Sequence, residues 1–486
     1  MRPFALLLLP ALCLANSVTV DQLITMARAA PPEFAAEALI RIAALDKVEN
    51  AQKIDLLEDA FGRAASAQLP YKRRAAIVKI PGPAGVFNRT YAQGLDAMSL
   101  RLKAVRAMLP VDAARARDMF RRIPAMKLPP LTCEDYLVYD VDAFYDVLEQ
   151  VAQQAFTPAE IEKGASFRFT QPYLAAMTSP VQLPGAARLL AASNVNNKDF
   201  IALVSAFSQA MAKMSGDDRS FTFTAVGPQI HAIVVAAQKR NLSAATLLES
   251  YRLYIVNDMS GARCADDDMM VNQGTSFAFA DPRGIDQQGP DPSAYFNGHL
   301  RVPPLQEIKE VEVTPSKVEG VAAGLRGCDD ETCKAIVKQY SSLIFDSNGA
   351  PLMPAVKETA EWQKQLTELM AAMAEWKSVG AQGAAEHYRE KSSLYSDLTN
   401  IQPNLGGRIR VLRAELAYVL KDKSSTGNRA EWFLPVNAII GRVTLDPLGL
   451  GPLADDLRLT GDPVIVLFTE LDALSPRRPD QIMPLF

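Results

Sequence analysis

The chain has 486 residues, is 49% hydrophobic and 22% charged, and carries a formal net charge of −4. This is the balance of an ordinary globular protein, long enough for two or more domains. The slight acidity argues against nucleic acid as a partner.

Met1-Arg2-Pro3 is followed by an apolar run from Phe4 to Leu14 and then by Ala15. One positive charge, a short apolar core and a small residue at its end make the pattern of a secretory signal peptide. The run is shorter than the roughly 20 apolar residues a membrane-spanning helix needs. Ala15, with Cys13 two positions before it, predicts a mature chain starting at Asn16; cleavage after Cys13, with Ala11 behind it, is the alternative. The bulky Leu12 disfavours lipid attachment at Cys13. Residues 1–15 are therefore read as a signal peptide and the protein as exported, periplasmic or secreted. No transmembrane span is expected after it.

The N-terminal segment, 16–256, is dominated by helical periodicity. Phe34, Ala38, Ile42 and Leu45 form one stripe, Ile54, Leu57 and Phe61 the next, and Leu95, Met98, Leu102, Val105 and Met108 a third. Pro31-Pro32, Leu69-Pro70 and Pro81-Gly82-Pro83 separate them. Asp112 is placed to cap a helix that ends before Pro124. A longer helix is predicted from Glu134 to about Phe156, then helices over 185–192, 199–214, 228–238 and 243–256.

Residues 257–330 break the rhythm with many Gly and Pro and read as one long irregular loop or a junction. Ile308 to Val313 is its one candidate strand. Helices resume over 331–486. Trp362, Leu366, Leu369, Met373 and Trp376 form a seam. Gly406-Gly407 precedes another stripe, Gly449-Leu450-Gly451 reads as a linker, and Asp462-Pro463 as the start of the last helix. The expected fold is all-α, about fourteen helices in stacked hairpins, α-solenoid-like with irregular repeats. The run Pro110 to Phe120 resembles one helix of a tetratricopeptide-type repeat. The Trp, Leu-Gly and Tyr of the partner helix do not recur at a fixed period, so the likeness is one of helical-hairpin chemistry.

Four cysteines follow the signal: Cys133, Cys264, Cys328 and Cys333. An even number in an exported chain reads as two disulfides, for which three pairings satisfy the count. Proximity favours Cys328–Cys333, with a helix starting at Asp329 or Asp330, and leaves Cys133–Cys264.

Candidate chemistry is sparse. The three histidines, His231, His299 and His387, stand in no metal-ligand spacing, and no nucleophile elbow or phosphate-binding loop occurs. No metal and no cofactor are predicted. The binding candidates are carboxylates: Asp135, Asp142 and Asp146, at helical spacings of seven and four beside Tyr136, Tyr139 and Tyr145, and the acidic run Asp266, Asp267 and Asp268. The functional expectation is an exported helical-repeat-like protein that binds another macromolecule, a protein or an envelope polymer. The alternative is a glycan-acting hydrolase or lyase using these carboxylates.

Overall fold

The computed structural model describes residues 18–68, 72–74, 77–79, 86–88, 94–128, 130–131, 135–137, 139–214, 226–259, 331–346, 352–377, 384–423, 430 and 432–474. Within these the fold is all-α: twenty α-helices packed as neighbouring pairs, with four strands of three residues each.

The first three helices are α1 (Val20–Ala29), α2 (Pro32–Ala43) and α3 (Asn50–Ala64). Thr19 starts α1 with a capping box, accepting from the Gln22 backbone while the Gln22 side chain takes the Thr19 N–H. Helices α4 (Ala97–Met108) and α5 (Ala113–Arg121) are capped by Asp96 and Asp112, whose carboxylates accept from Ser99 N and Arg115 N. The described residues also include two antiparallel strand pairs: β1 (Lys72–Arg74) with β4 (Asp135–Leu137), and β2 (Ile77–Lys79) with β3 (Val86–Asn88).

Strand β4 corrects the expected helix from Glu134. Helix α6 begins only at Val141 and ends at Gln154. Asp140 caps it, accepting from Ala143 N at 2.9 Å. The residues before it, Tyr136-Leu137-Val138-Tyr139, are strand formers by composition.

After α6 the chain runs through α7 (Pro158–Glu162), α8 (Ala165–Ala175) and a 3-10 turn (Pro180–Gln182) into α9 (Leu183–Ala192). Helices α10 (Asn197–Ala212), α11 (Gly227–Lys239) and α12 (Ala245–Met259) complete this part. Helix α9 packs on α6 and α11, and α10 on α8 and α12.

Beyond residue 330 the helices are α13 (Glu331–Ile344), α14 (Pro354–Lys357), α15 (Ala360–Glu375), α16 (Ala384–Asn400), α17 (Leu405–Asp422), α18 (Phe433–Leu445), α19 (Pro447–Leu459) and α20 (Pro463–Leu474). Asp462 caps α20 as expected, accepting from Val464 N and Ile465 N. The segment read as a linker, Gly449-Leu450-Gly451, lies inside α19 instead. Asp446 caps that helix and Pro447 opens it, and these start signals outweigh two glycines.

The last helices close onto the first. Helix α20 packs on α1 and α2, and the Phe34 ring meets those of Phe433 at 5.0 Å and Trp432 at 5.9 Å. Arg41 of α2 pairs with the buried Asp472 of α20. A single hydrophobic core therefore draws on helices from both sides of the segment 260–330. No helix among the described residues is long and apolar enough to cross a membrane.

Candidate functional site

The site candidate grows from helix α6. Its inward face buries Phe144, Tyr145, Leu148 and Val151. The opposite face carries Asp142, Asp146 and Glu149, spaced so that one helix turn brings each near the next.

Helix α9 lies along this face. Gly185 stands against Tyr145 and Asp142: a β-carbon there would come within 2.8 Å of the Tyr145 ring and 3.2 Å of an Asp142 oxygen. One turn on, Arg188 Nη2 reaches Asp142 Oδ1 at 2.9 Å and Asp146 Oδ1 at 3.8 Å. Two turns on, Leu189 and Ser193 face Glu149 and Gln153 across a cavity of about 200 Å³. Contacts that advance together along both helices make α6 and α9 parallel, so their C-terminal ends meet at this cavity. The crossover that parallel helices require is the α7–α8 segment, which adds Ile161, Ser166 and Thr170 to the wall, and Asn194, Val195 and Leu203 complete it.

Burial raises the Asp146 carboxyl above its ordinary value, against Arg188, which lowers it. Burial likewise raises Glu149, against the hydrogen bond that Gln153 Nε2 donates to Glu149 Oε1 at 2.9 Å. Ser166 Oγ donates to Ala152 O at 3.1 Å, Thr170 Oγ1 to Ser166 O at 3.0 Å, and Ser193 Oγ to Leu190 O at 2.8 Å. Earlier along α6 Tyr145 accepts from Gln182 Nε2 at 3.1 Å, and Gln182 Oε1 takes the backbone N–H groups of Thr178 and Ser179.

Of the sequence candidates, Asp142 and Asp146 are brought together on α6 by one guanidinium. Asp135 is not part of that face: it lies in β4, in register with Arg74. The run Asp266, Asp267 and Asp268, the cysteines Cys133, Cys264 and Cys328, and the candidate strand Ile308–Val313 lie outside the described residues. Cys333 is fully buried in the first turn of α13, which begins at Glu331. Sequence reasoning missed Arg188, Glu149 and the three hydroxyls of Ser166, Thr170 and Ser193. The one available signal was Arg188 itself, a lone charge in the otherwise apolar Leu183–Ala192.

Among the described residues no group of three or more His, Cys, Asp or Glu side chains is gathered as a metal site. The basic residues of α5 are engaged in ion pairs: Arg115 with Glu58 and Asp112, Arg117 with Glu160, and Arg121 with Asp118.

A second polar group is buried around α16, α17 and α18. Lys391 Nζ donates to Trp376 O at 3.0 Å, just past the end of α15, and lies 4.3 Å from the Tyr418 ring centre. Burial lowers it to about 8, with Asp422 pulling it back up. Glu415 is fully buried, and burial pushes its carboxyl up to about 8 against the pull of Arg442. Arg442 donates to Ser396 Oγ at 3.1 Å. Lys391 therefore neutralises a helix C-terminus, a structural task.

No protein-family model matches the chain, and neither a curated protein nor a solved structure matches it.

Proposed function

We propose that this is an exported stacked-helix protein that binds another macromolecule, a protein or an envelope polymer, through the face where α6 and α9 run side by side. The observation that carries the reading is the convergence of Asp142 and Asp146 on Arg188 beside an open cavity. Glycan cleavage calls for two carboxyls facing each other across the scissile bond, about 5–9 Å apart. Asp142 and Asp146 instead stand one turn apart on one helix and share one cation. Such a set positions a ligand by charge and shape; it is not arranged to protonate a leaving group on one side and attack from the other.

The test is site-specific photocrosslinking. A photoreactive side chain placed at the exposed Gln153 in the native host should trap a macromolecule that is not trapped from the exposed Asp55 on α3. Equal yields from both positions, or none from either, would refute the assignment of this face. Export is tested by N-terminal sequencing, with a start at Asn16 expected. A chain still beginning at Met1 and recovered with cytosolic protein contradicts export. The pairings Cys328–Cys333 and Cys133–Cys264 belong to the same reading. Non-reducing peptide mapping decides both.

A further inference from the structure

We propose that the cavity between the C-terminal ends of α6 and α9 takes a primary ammonium group on a short aliphatic stem, with Glu149 as its counter-ion. The assignment deepens the binding reading and rests on it for one point only, the source of the amine: a lysine side chain of the bound macromolecule, or a free alkylamine.

Size comes first. A cavity of about 150 Å³ holds benzene, so about 200 Å³ accommodates a stem of a few methylenes and its head group. A sugar chain does not fit such a space.

The walls are divided. Ala152, Ile161, Leu189, Val195 and Leu203 offer an apolar surface along which a methylene stem is removed from water. The polar lining holds two amides, Gln153 and Asn194, which can donate or accept, and a set of groups that accept. Ser166 and Thr170 are 5% and 3% exposed, and both have committed their hydroxyl protons to backbone carbonyls, as has Ser193. Their oxygens can only accept. Glu149 is an acceptor by nature, with one oxygen already held by Gln153. These acceptors call for a donor, and an ammonium carries three donors and no acceptor.

Helix polarity has the same sign. The C-terminal ends of two parallel helices carry partial negative charge, which favours a cation. Neither α6 nor α9 has a basic residue of its own in its last turn. Part of this field is taken up by the chain itself, Arg117 donating to Ala155 O and Arg240 to Ser193 O and Val195 O. Arg188 is drawn to Asp142 and Asp146, which leaves Glu149 as the carboxylate facing the cavity.

The test is calorimetric titration of the full chain with n-pentylamine, with 1-pentanol as the neutral analogue, and with a short peptide carrying one central lysine. Pentylamine should bind, and pentanol should bind roughly tenfold more weakly or worse, the worth of one charge-assisted contact. Glu149→Gln should weaken pentylamine binding by a similar factor with an unchanged circular dichroism spectrum. Gln153→Lys, which plants the chain's own ammonium at the mouth, should compete and weaken it too. A lysine peptide that binds tighter than pentylamine assigns the amine to a partner; a weaker one assigns it to a free alkylamine. Absence of pentylamine binding, equal binding of pentanol, or an unchanged affinity in Glu149→Gln with Gln153→Lys overturns the proposal. Crosslinking from Gln153 that persists in that event leaves the binding face standing and removes only the cation.

Discussion

The parallel packing of α6 and α9 hangs on one glycine, and the same substitution made at two glycines should change stability in opposite directions. At Gly185 an added β-carbon would stand 2.8 Å from Tyr145 Cδ2, 3.1 Å from Tyr145 Cβ and 3.2 Å from Asp142 Oδ1. Turning the tyrosine ring does not relieve the contact with its β-carbon, so the helices must separate. Tyr145 is 1% exposed and its ring packs edge-on against Phe144 at 5.2 Å. Overpacking of this kind costs about 1–3 kcal/mol. If Tyr145 shifts, the bond from Gln182 is lost as well, about 1 kcal/mol. Against this stands the gain of alanine over glycine in a helix, about 1 kcal/mol. Gly185→Ala should therefore destabilise by roughly 1–3 kcal/mol. At Gly62, exposed in α3, nothing lies within 4 Å of the added carbon. Only the propensity gain remains there, so Gly62→Ala should stabilise by up to about 1 kcal/mol. Urea denaturation followed by circular dichroism reads both changes as midpoint shifts. Equal shifts of the same sign would refute the close approach of α9 to α6.

Four further outcomes follow from the described side chains. Glu415 keeps its proton in the folded chain up to about pH 8 and loses it from 4.5 upward when unfolded, so its contribution to stability is full below 4.5 and declines as pH rises toward 8. Glu415→Gln should remove that decline, on the order of a few kcal/mol, seen by comparing urea midpoints at pH 5 and pH 8. Arg188→Gln removes the cation that lowers Asp146, so carboxyl resonances followed by NMR should show Asp146 titrating higher; an unmoved titration would detach Arg188 from the pair. Lys391→Met takes one of two partners from the carbonyl of Trp376, His387 Nε2 at 3.3 Å being the other, and should cost about 1 kcal/mol in the same urea assay. Asp112→Ala takes the cap from α5 and should cost about 1 kcal/mol; a neutral result would mean the Arg115 N–H finds water equally well.

Much of the fold was legible because its signals are local. Asp112 and Asp462 cap the helices whose starts they mark in the sequence. The Trp362, Leu366, Leu369 and Met373 seam is buried along one side of α15. The errors came where two local signals competed. Tyr136 to Tyr139 continue the apolar spacing of α6 backward, yet their β-forming side chains and the cap at Asp140 separate them from it. Gly449 and Gly451 suggest a linker, yet Asp446 and Pro447 start a helix straight through them. Helices α7 and α8 follow Thr157, whose capping box with Glu160 was readable and was passed over.

The site was legible only to the point where one helix meets another. Periodicity places Asp142 and Asp146 on one face of α6, and it places Glu149 on the same side. Periodicity carries no information about what crosses that face. Arg188 comes from a helix whose own sequence is almost wholly apolar, and nothing local assigns it a partner. The relation is created by direction. Because α7 and α8 carry the chain back before α9 begins, α9 runs with α6 and not against it. Parallel running matches Gly185 with Tyr145, then Arg188 with Asp142 and Asp146, and finally brings two C-terminal ends to one cavity. Had the two helices formed an antiparallel hairpin, the end of α9 would lie beside the start of α6, where the field is positive. Arg188 would then be matched with a different turn. The carboxylates belong to the sequence of one helix, but their surroundings, and with them the kind of ligand they favour, are set by the crossover.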